Sequence, residues 1–211
     1  MQEATIKVWD PLVRIGHWVL AAAFLVAYLS EGEPEWLHSF AGYTIAAYLA
    51  LRLVWGFIGP KHARFSSFLF SPAAVFAYLR DLPLGRSKRH LGHSPAGGAM
   101  VIALMLSLTG TAFSGMALLA AEEGEGPLAG YIGQTRTIAT QTEQNAPVIR
   151  YGDDDDDEHE DGKDSIWEDV HEVFANLTLL LVLLHLGGVA MASIAHNENL
   201  PRAMVTGRKR A

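Results

Sequence analysis

The sequence contains no cysteine. That absence excludes disulfides, thiolate metal sites, thiolate-ligated haem and covalent haem attachment through a C-x-x-C-H motif. A metal or haem here has to be held noncovalently by side chains such as His or Met. Charge is also missing over long stretches. Neither Ser94–Ala121 nor Val173–Asn197 contains an acid, a Lys or an Arg. A bilayer-spanning helix needs about 20 mostly apolar residues, so both stretches read as spans. Hydrophobic residues make up 50% of the 211, and they gather into four segments near 12–29, 36–58, 97–121 and 170–194. The first segment carries Arg14 and the second carries Arg52. The first is the shortest, and a cleaved leader is its alternative reading, at the cost of losing His17.

The connectors sort charge by sign. The N-terminal piece carries Lys7, with Arg14 just inside the start of the first span. The first connector has Glu31, Glu33 and Glu35 and no base. The second, Gly59 to His93, has six bases (Lys61, Arg64, Arg80, Arg86, Lys88 and Arg89) against Asp81. The third, Glu122 to Asp169, has fifteen acids against Arg136, Arg150 and Lys163. The tail has Arg202, Arg208, Lys209 and Arg210 against Glu198. Bases alternate from one connector to the next, and the positive-inside rule places both termini in the cytoplasm. The expected fold is all-α: an integral membrane four-helix bundle, one domain over 1–211, with an acidic outer loop at 122–169. The aspartate run Asp153–Asp157 within that loop reads as a solvated segment. Pro72 marks the start of a short helix in the second connector, lying on the inner surface.

Four of the nine histidines fall in or beside the spans: His17, His38, His171 and His185. Ionisable groups there are costly and point to function. His171 and His185 are 185 − 171 = 14 residues apart. On a helix that is nearly four turns, so both share one face and lie about 21 Å apart along the axis. The orientation puts His17 at the depth of His185, and His38 at the depth of His171. Two transverse pairs result. Zinc wants three or four ligands, whereas each level supplies two histidines. A haem needs two axial ligands and room for its ring, so two b-type haems are expected. Gly16, Gly42, Gly187 and Gly188 lie near the ligands and either give that room or let helices pack closely. Arg52 lies 52 − 38 = 14 residues after His38, on the same face. Its counter-ion is a haem propionate or, if the side chain snorkels, the inner headgroups. His62, His90, His93 and His196 fall at the inner edge, where solvation accounts for them; the alternative for His93 is contact with the inner haem or a quinone.

These residues resemble the prokaryotic cytochrome b561 family, which includes the cytochrome b subunits of nickel–iron hydrogenases. The resemblance runs through Val8, Trp9, Asp10 and Pro11 to Arg14 and Gly16, His17 and Trp18. It continues with Leu37 and His38, Gly42, and Arg52 to Phe57. Gly92 to Pro95, Leu108 to Gly110, Asp169 to Glu172, His185 and the tail from Asn199 to Arg210 complete it. It implies a four-helix bundle holding two haems b on His17, His38, His171 and His185, and electron exchange with membrane quinone. The long third connector departs from the family pattern. The implied function is transmembrane electron transfer between quinone and an outer-face redox protein such as a cytochrome c. The alternatives are the cytochrome b subunit of a hydrogenase-like complex and a superoxide:quinone oxidoreductase. The second of these would make the chain an enzyme, but fifteen outer acids would repel superoxide. A multi-pass protein of the bacterial inner membrane is expected, with lipid, quinone and a redox protein as partners and no nucleic acid.

Overall fold

The computed structural model describes residues 4–30, 33–132 and 166–211. The Asp153–Asp157 run, Glu31 and most of the acidic loop lie outside the described residues. Among the described residues four helices are long and apolar enough to cross a membrane. They are α1 (Pro11–Ser30), α2 (Glu35–Ile58), α4 (Pro95–Glu122) and α5 (Ile166–Ala195). A shorter helix, α3 (Pro72–Asp81), lies between α2 and α4, and α6 (Leu200–Thr206) follows α5.

A cap followed by proline starts three of these helices. Asp10 accepts hydrogen bonds from the backbone of Leu12 and Val13 at 3.0 and 3.2 Å, with Pro11 as the first helical residue. Ser71 does the same for Ala74 ahead of Pro72, and Ser94 for Gly97 ahead of Pro95. Each cap satisfies an orphan donor, and proline has no N–H to leave unpaired.

Helix α1 packs on α2, α2 on α4, and α4 most extensively on α5. Ala23, Ile45, Leu49 and Leu108 form the buried centre where α1, α2 and α4 meet. The rest of the apolar surface faces outward: Leu29, Phe40, Phe57, Leu106, Val173 and Ile194 are each more than 60% exposed. In water such a surface would drive aggregation, whereas in a bilayer it faces lipid. Hydroxyls join α4 to α5. Ser107 Oγ and Thr178 Oγ1 lie 2.8 Å apart and Thr111 Oγ1 is 3.2 Å from Thr178, all among apolar side chains. Such pairs satisfy polar groups where lipid cannot.

A strand near the N-terminus, β1 (Thr5–Lys7), pairs antiparallel with β2 (Arg208–Arg210). Gly207 makes this possible. Its φ of 77° closes α6 in the left-handed conformation and turns the chain into β2. Arg14 donates to the carbonyl of Val205, and Val8 and Trp9 donate to that of Gly207. Both ends of the chain therefore lie at one end of the bundle, with the basic α2–α4 connector. That is the basic end. The opposite, acidic end carries Glu33, Glu35, Glu122, Glu123 and Glu125.

Phe68 is 1% exposed and anchors the connector at the basic end. Its carbonyl sits where a Cβ on Gly98 would go, and backbone cannot swing aside as a side chain can. Gly98→Val is expected to destabilise the protein by about 1–3 kcal/mol, as overpacking does. A lowered thermal midpoint in detergent checks this, with Gly130→Ala, which meets nothing within 4 Å, as the neutral control.

Candidate functional site

The structure brings the four span histidines together in two pairs. His17 on α1 and His185 on α5 have ring centroids 6.3 Å apart. His38 on α2 and His171 on α5 have centroids 6.0 Å apart. The first pair lies toward the basic end and the second toward the acidic end. A metal–imidazole bond is about 2 Å, and a ring centroid lies about 1 Å behind its nitrogen. Two imidazoles ligating one metal from opposite sides therefore stand about 6 Å apart. Both pairs fit that spacing. Among the described residues no group of three or more His, Cys, Asp or Glu could hold a metal ion, so a tetrahedral zinc site has no ligand set there.

The pair at the acidic end has its tautomers fixed. His171 Nδ1 lies 3.0 Å from the carbonyl of Thr111 and 3.2 Å from Ser114 Oγ. His38 Nδ1 lies 3.0 Å from the carbonyl of Ala27 and 3.4 Å from Ser30 Oγ. A carbonyl only accepts, so each Nδ1–H donates and each Nε2 keeps a lone pair for a metal. Gly115 lets α4 approach the His171 ring closely. The histidine spacing alone does not find these second partners. Ser107, Thr111 and Ser114 recur at helical spacing in an apolar span, which is the signal that could have found them.

The space around the pairs is uneven. Gly42, Gly187 and Gly188 have nothing within 4 Å of where a Cβ would be. Helix α5 stands against α4 but off α1 and α2, leaving open the side from which the histidines converge. Gly16 is different: the Tyr48 ring fills the space beside it. Its role is close packing of α1 on α2, not room beside His17.

At the basic end, buried polar atoms stand without partners. Among the described residues they are Arg14 Nε, His17 Nδ1, Arg52 Nη1, Trp55 Nε1, His93 Nδ1 and Ser193 Oγ. Folded proteins seldom leave such groups unpaired, so a concentration of them calls for a polar ligand. Arg52 is 5% exposed and does not snorkel outward. Its Nη2 donates to the carbonyl of Ala63 at 3.0 Å, and its guanidinium lies over the Phe65 and Phe68 rings. Nη1 is left to meet an anion. The donor set therefore fits a macrocycle with acidic side arms.

His93 is held between Trp9 and Phe68, at 4.6 and 4.5 Å between ring centroids, instead of standing in solvent. Burial, and then the positive charges of Arg52, Lys209 and His62, push its imidazole down to about 3. Between pH 6.5 and about 3 the unfolded chain binds a proton that the folded chain refuses. Stability is therefore complete above that window and falls as the pH drops through it. His93→Phe, which keeps the ring stacking, is expected to flatten this part of the stability–pH curve, measured as unfolding midpoint against pH. His196 also has a partner, with Nε2 lying 3.1 Å from the Tyr78 hydroxyl.

A membrane-spanning helical bundle with two facing histidine pairs at different depths is the architecture of a haem-binding membrane cytochrome. The model of the prokaryotic cytochrome b561 family matches residues 8–207, and the chain belongs to that family. Membership makes it a membrane protein that binds haem b and takes part in electron transfer. No curated protein and no solved structure matches the chain significantly.

Proposed function

We propose that the protein carries electrons through the bilayer on two haems b, between membrane quinone and a redox protein at the acidic face. The single observation that carries this reading is the pair of ring separations, 6.3 and 6.0 Å, at two levels of one bundle. In it, His17 and His185 hold the haem at the basic end, and His38 and His171 hold the other. Bound between two imidazoles, haem iron supplies one-electron redox chemistry with no open position for oxygen. The chain's own residues set the conditions. The carbonyls of Thr111 and Ala27 orient one ligand pair and raise its basicity. Arg52 pairs with a propionate at the basic end. The apolar faces of α1, α2 and α5 exclude water.

Charge sorting supports an orientation with the basic end and both termini in the cytoplasm of a bacterium, the protein lying in the inner membrane. The acidic end then faces outward. Glu123 there is raised above the ordinary carboxylate range by Glu35, then by partial desolvation and by Glu125 and Glu122, which marks a dense negative surface. A basic protein such as a cytochrome c suits that surface.

The test is electron transfer in proteoliposomes. Quinol added to the membrane should reduce the b haems, seen as a rise of their α-band, and external oxidised cytochrome c should reoxidise them. The reoxidation rate should fall steeply as salt rises, because opposite charges steer the encounter. Reduction by dithionite but not by quinol would contradict the quinone assignment.

A further inference from the structure

The tail at the basic end builds a cleft that span orientation alone does not require. The cleft, of about 430 Å³, lies between the α5–α6 turn and β2. Arg202, Arg208, Lys209, Arg210 and Glu198 line it, together with Asn197. The one acid is already engaged. Glu198 accepts from Arg89 Nε at 2.8 Å and lies 3.4 Å from Lys209 Nζ. Burial alone would raise its carboxyl, but Arg89 and Lys209 outweigh that and hold it below its ordinary value. Glu198 thus stays ionised, and its single charge is already taken up by those two cations.

Three guanidiniums remain, those of Arg202, Arg208 and Arg210. Among the described residues the guanidiniums of Arg202 and Arg208 form no hydrogen bond or ion pair, their backbone N–H groups bonding Asn199 and Thr206 instead, and that of Arg210 reaches only the carbonyl of His196 at 3.5 Å. Strand alternation explains how they gather. In β2, Lys209 points to the interior at 7% exposure, while Arg208 and Arg210 share the outer face.

A second observation points the same way. The β1–β2 register sets Lys7 directly opposite Arg208. Like charges in that position destabilise a ribbon. Both are exposed, yet the chain closes the ribbon with a left-handed turn at Gly207. An anion held at Arg208, which lines the cleft, lowers that repulsion. Orienting the spans needs only bases near their ends, on a tail of any shape.

We propose that this cleft is a binding site for a phosphate group, formed by Arg202, Arg208 and Arg210. Guanidiniums bind phosphate oxygens through paired, charge-assisted hydrogen bonds. Helix α5 ends at Ala195, two residues before Asn197, so the cleft opens where the last span leaves the membrane. The cleft is also larger than a bare phosphate. Both features favour the phosphodiester of an anionic lipid headgroup, and free phosphate is the other source of the same chemistry.

The test uses the full-length protein in neutral detergent, with unfolding followed by tryptophan fluorescence. Phosphatidylglycerol, phosphatidylcholine and inorganic phosphate are titrated separately at constant ionic strength. Phosphatidylglycerol is expected to raise the unfolding midpoint saturably and phosphatidylcholine to leave it unchanged. The double variant R202Q/R208Q should need about tenfold more phosphatidylglycerol for each charge-assisted hydrogen bond that it removes. R86Q/K88Q, which removes two exposed bases outside the cleft, should respond like the wild type. R210Q provides the same reading if the double variant does not fold. Saturation by inorganic phosphate that depends on Arg202 and Arg208 would support the site with free phosphate as its ligand. No saturable response to either probe, or equal responses from the cleft variants and R86Q/K88Q, would overturn the proposal.

Discussion

His171→Ala is expected to reduce the haem content from two per chain to one, and His38→Ala to do the same. Each change removes one axial ligand from the pair at the acidic end, where the rings now face each other at 6.0 Å. A haem held noncovalently on one imidazole alone loses half of its protein ligation and the fixed geometry that opposed it. His17→Ala and His185→Ala should each remove the other haem. The two levels are about 21 Å apart along α5, so losing one should leave the other spectrum intact. The double variant His38→Ala/His171→Ala should also keep one haem, because both changes act on one site. Ser114→Ala is the contrast. It leaves the Thr111 carbonyl to orient His171 and should keep both haems. Pyridine haemochrome assay against protein concentration gives the count. Retention of both haems after any single histidine change would break the assignment of that ligand.

Arg52→Gln should lower the midpoint potential of the basic-end haem by about 50–100 mV and leave the other in place. A Coulomb interaction of about 1–2 kcal/mol, the order expected for a nearby unit charge at an effective dielectric of 20, corresponds to about 50–100 mV, since 59 mV is a tenfold change in a one-electron equilibrium. Removing a positive charge favours the oxidised, more positive haem, so the sign is downward. Arg52→Lys keeps the charge and should recover most of the potential. A purely structural role, through the bond to the Ala63 carbonyl, predicts something else: lower stability in both variants with both potentials unmoved. The wild type should also show the basic-end haem at the higher potential. Arg52 raises that haem, while the Nδ1–H bonds to Thr111 and Ala27 make His171 and His38 stronger donors and lower the other. Potentiometric titration resolves both points.

The helices and the pairing were legible because they rest on long-range regularities. Twenty or more apolar residues have few alternatives to a helix, and a 14-residue separation fixes face and depth on any helix. His171 and His185 could therefore be matched to His38 and His17 by depth alone. The same arithmetic puts Arg52 on its face, but its enclosure by Phe65 and Phe68 was not legible. That depends on how the α2–α4 connector folds back, and short 3-10 turns such as Lys61–Ala63 and Phe65–Ser67 leave no periodic signal. For the same reason the sequence suggests solvent around His93, whose partners, Trp9 and Phe68, are remote along the chain. The three-residue strands β1 and β2 are too short for alternation to show, so the ribbon that joins the two ends of the chain appeared only in the fold. Gly16 shows the limit of composition. A small residue beside a ligand suggests room, and its neighbour Tyr48, on another helix, takes that room.

The most direct measurement is a dithionite-reduced minus oxidised spectrum of the purified protein, with haem counted per chain. Two low-spin b haems per chain are the expected result for two histidine pairs. A colourless protein, or one haem per chain in a fully loaded preparation, would contradict the paired-histidine electron path.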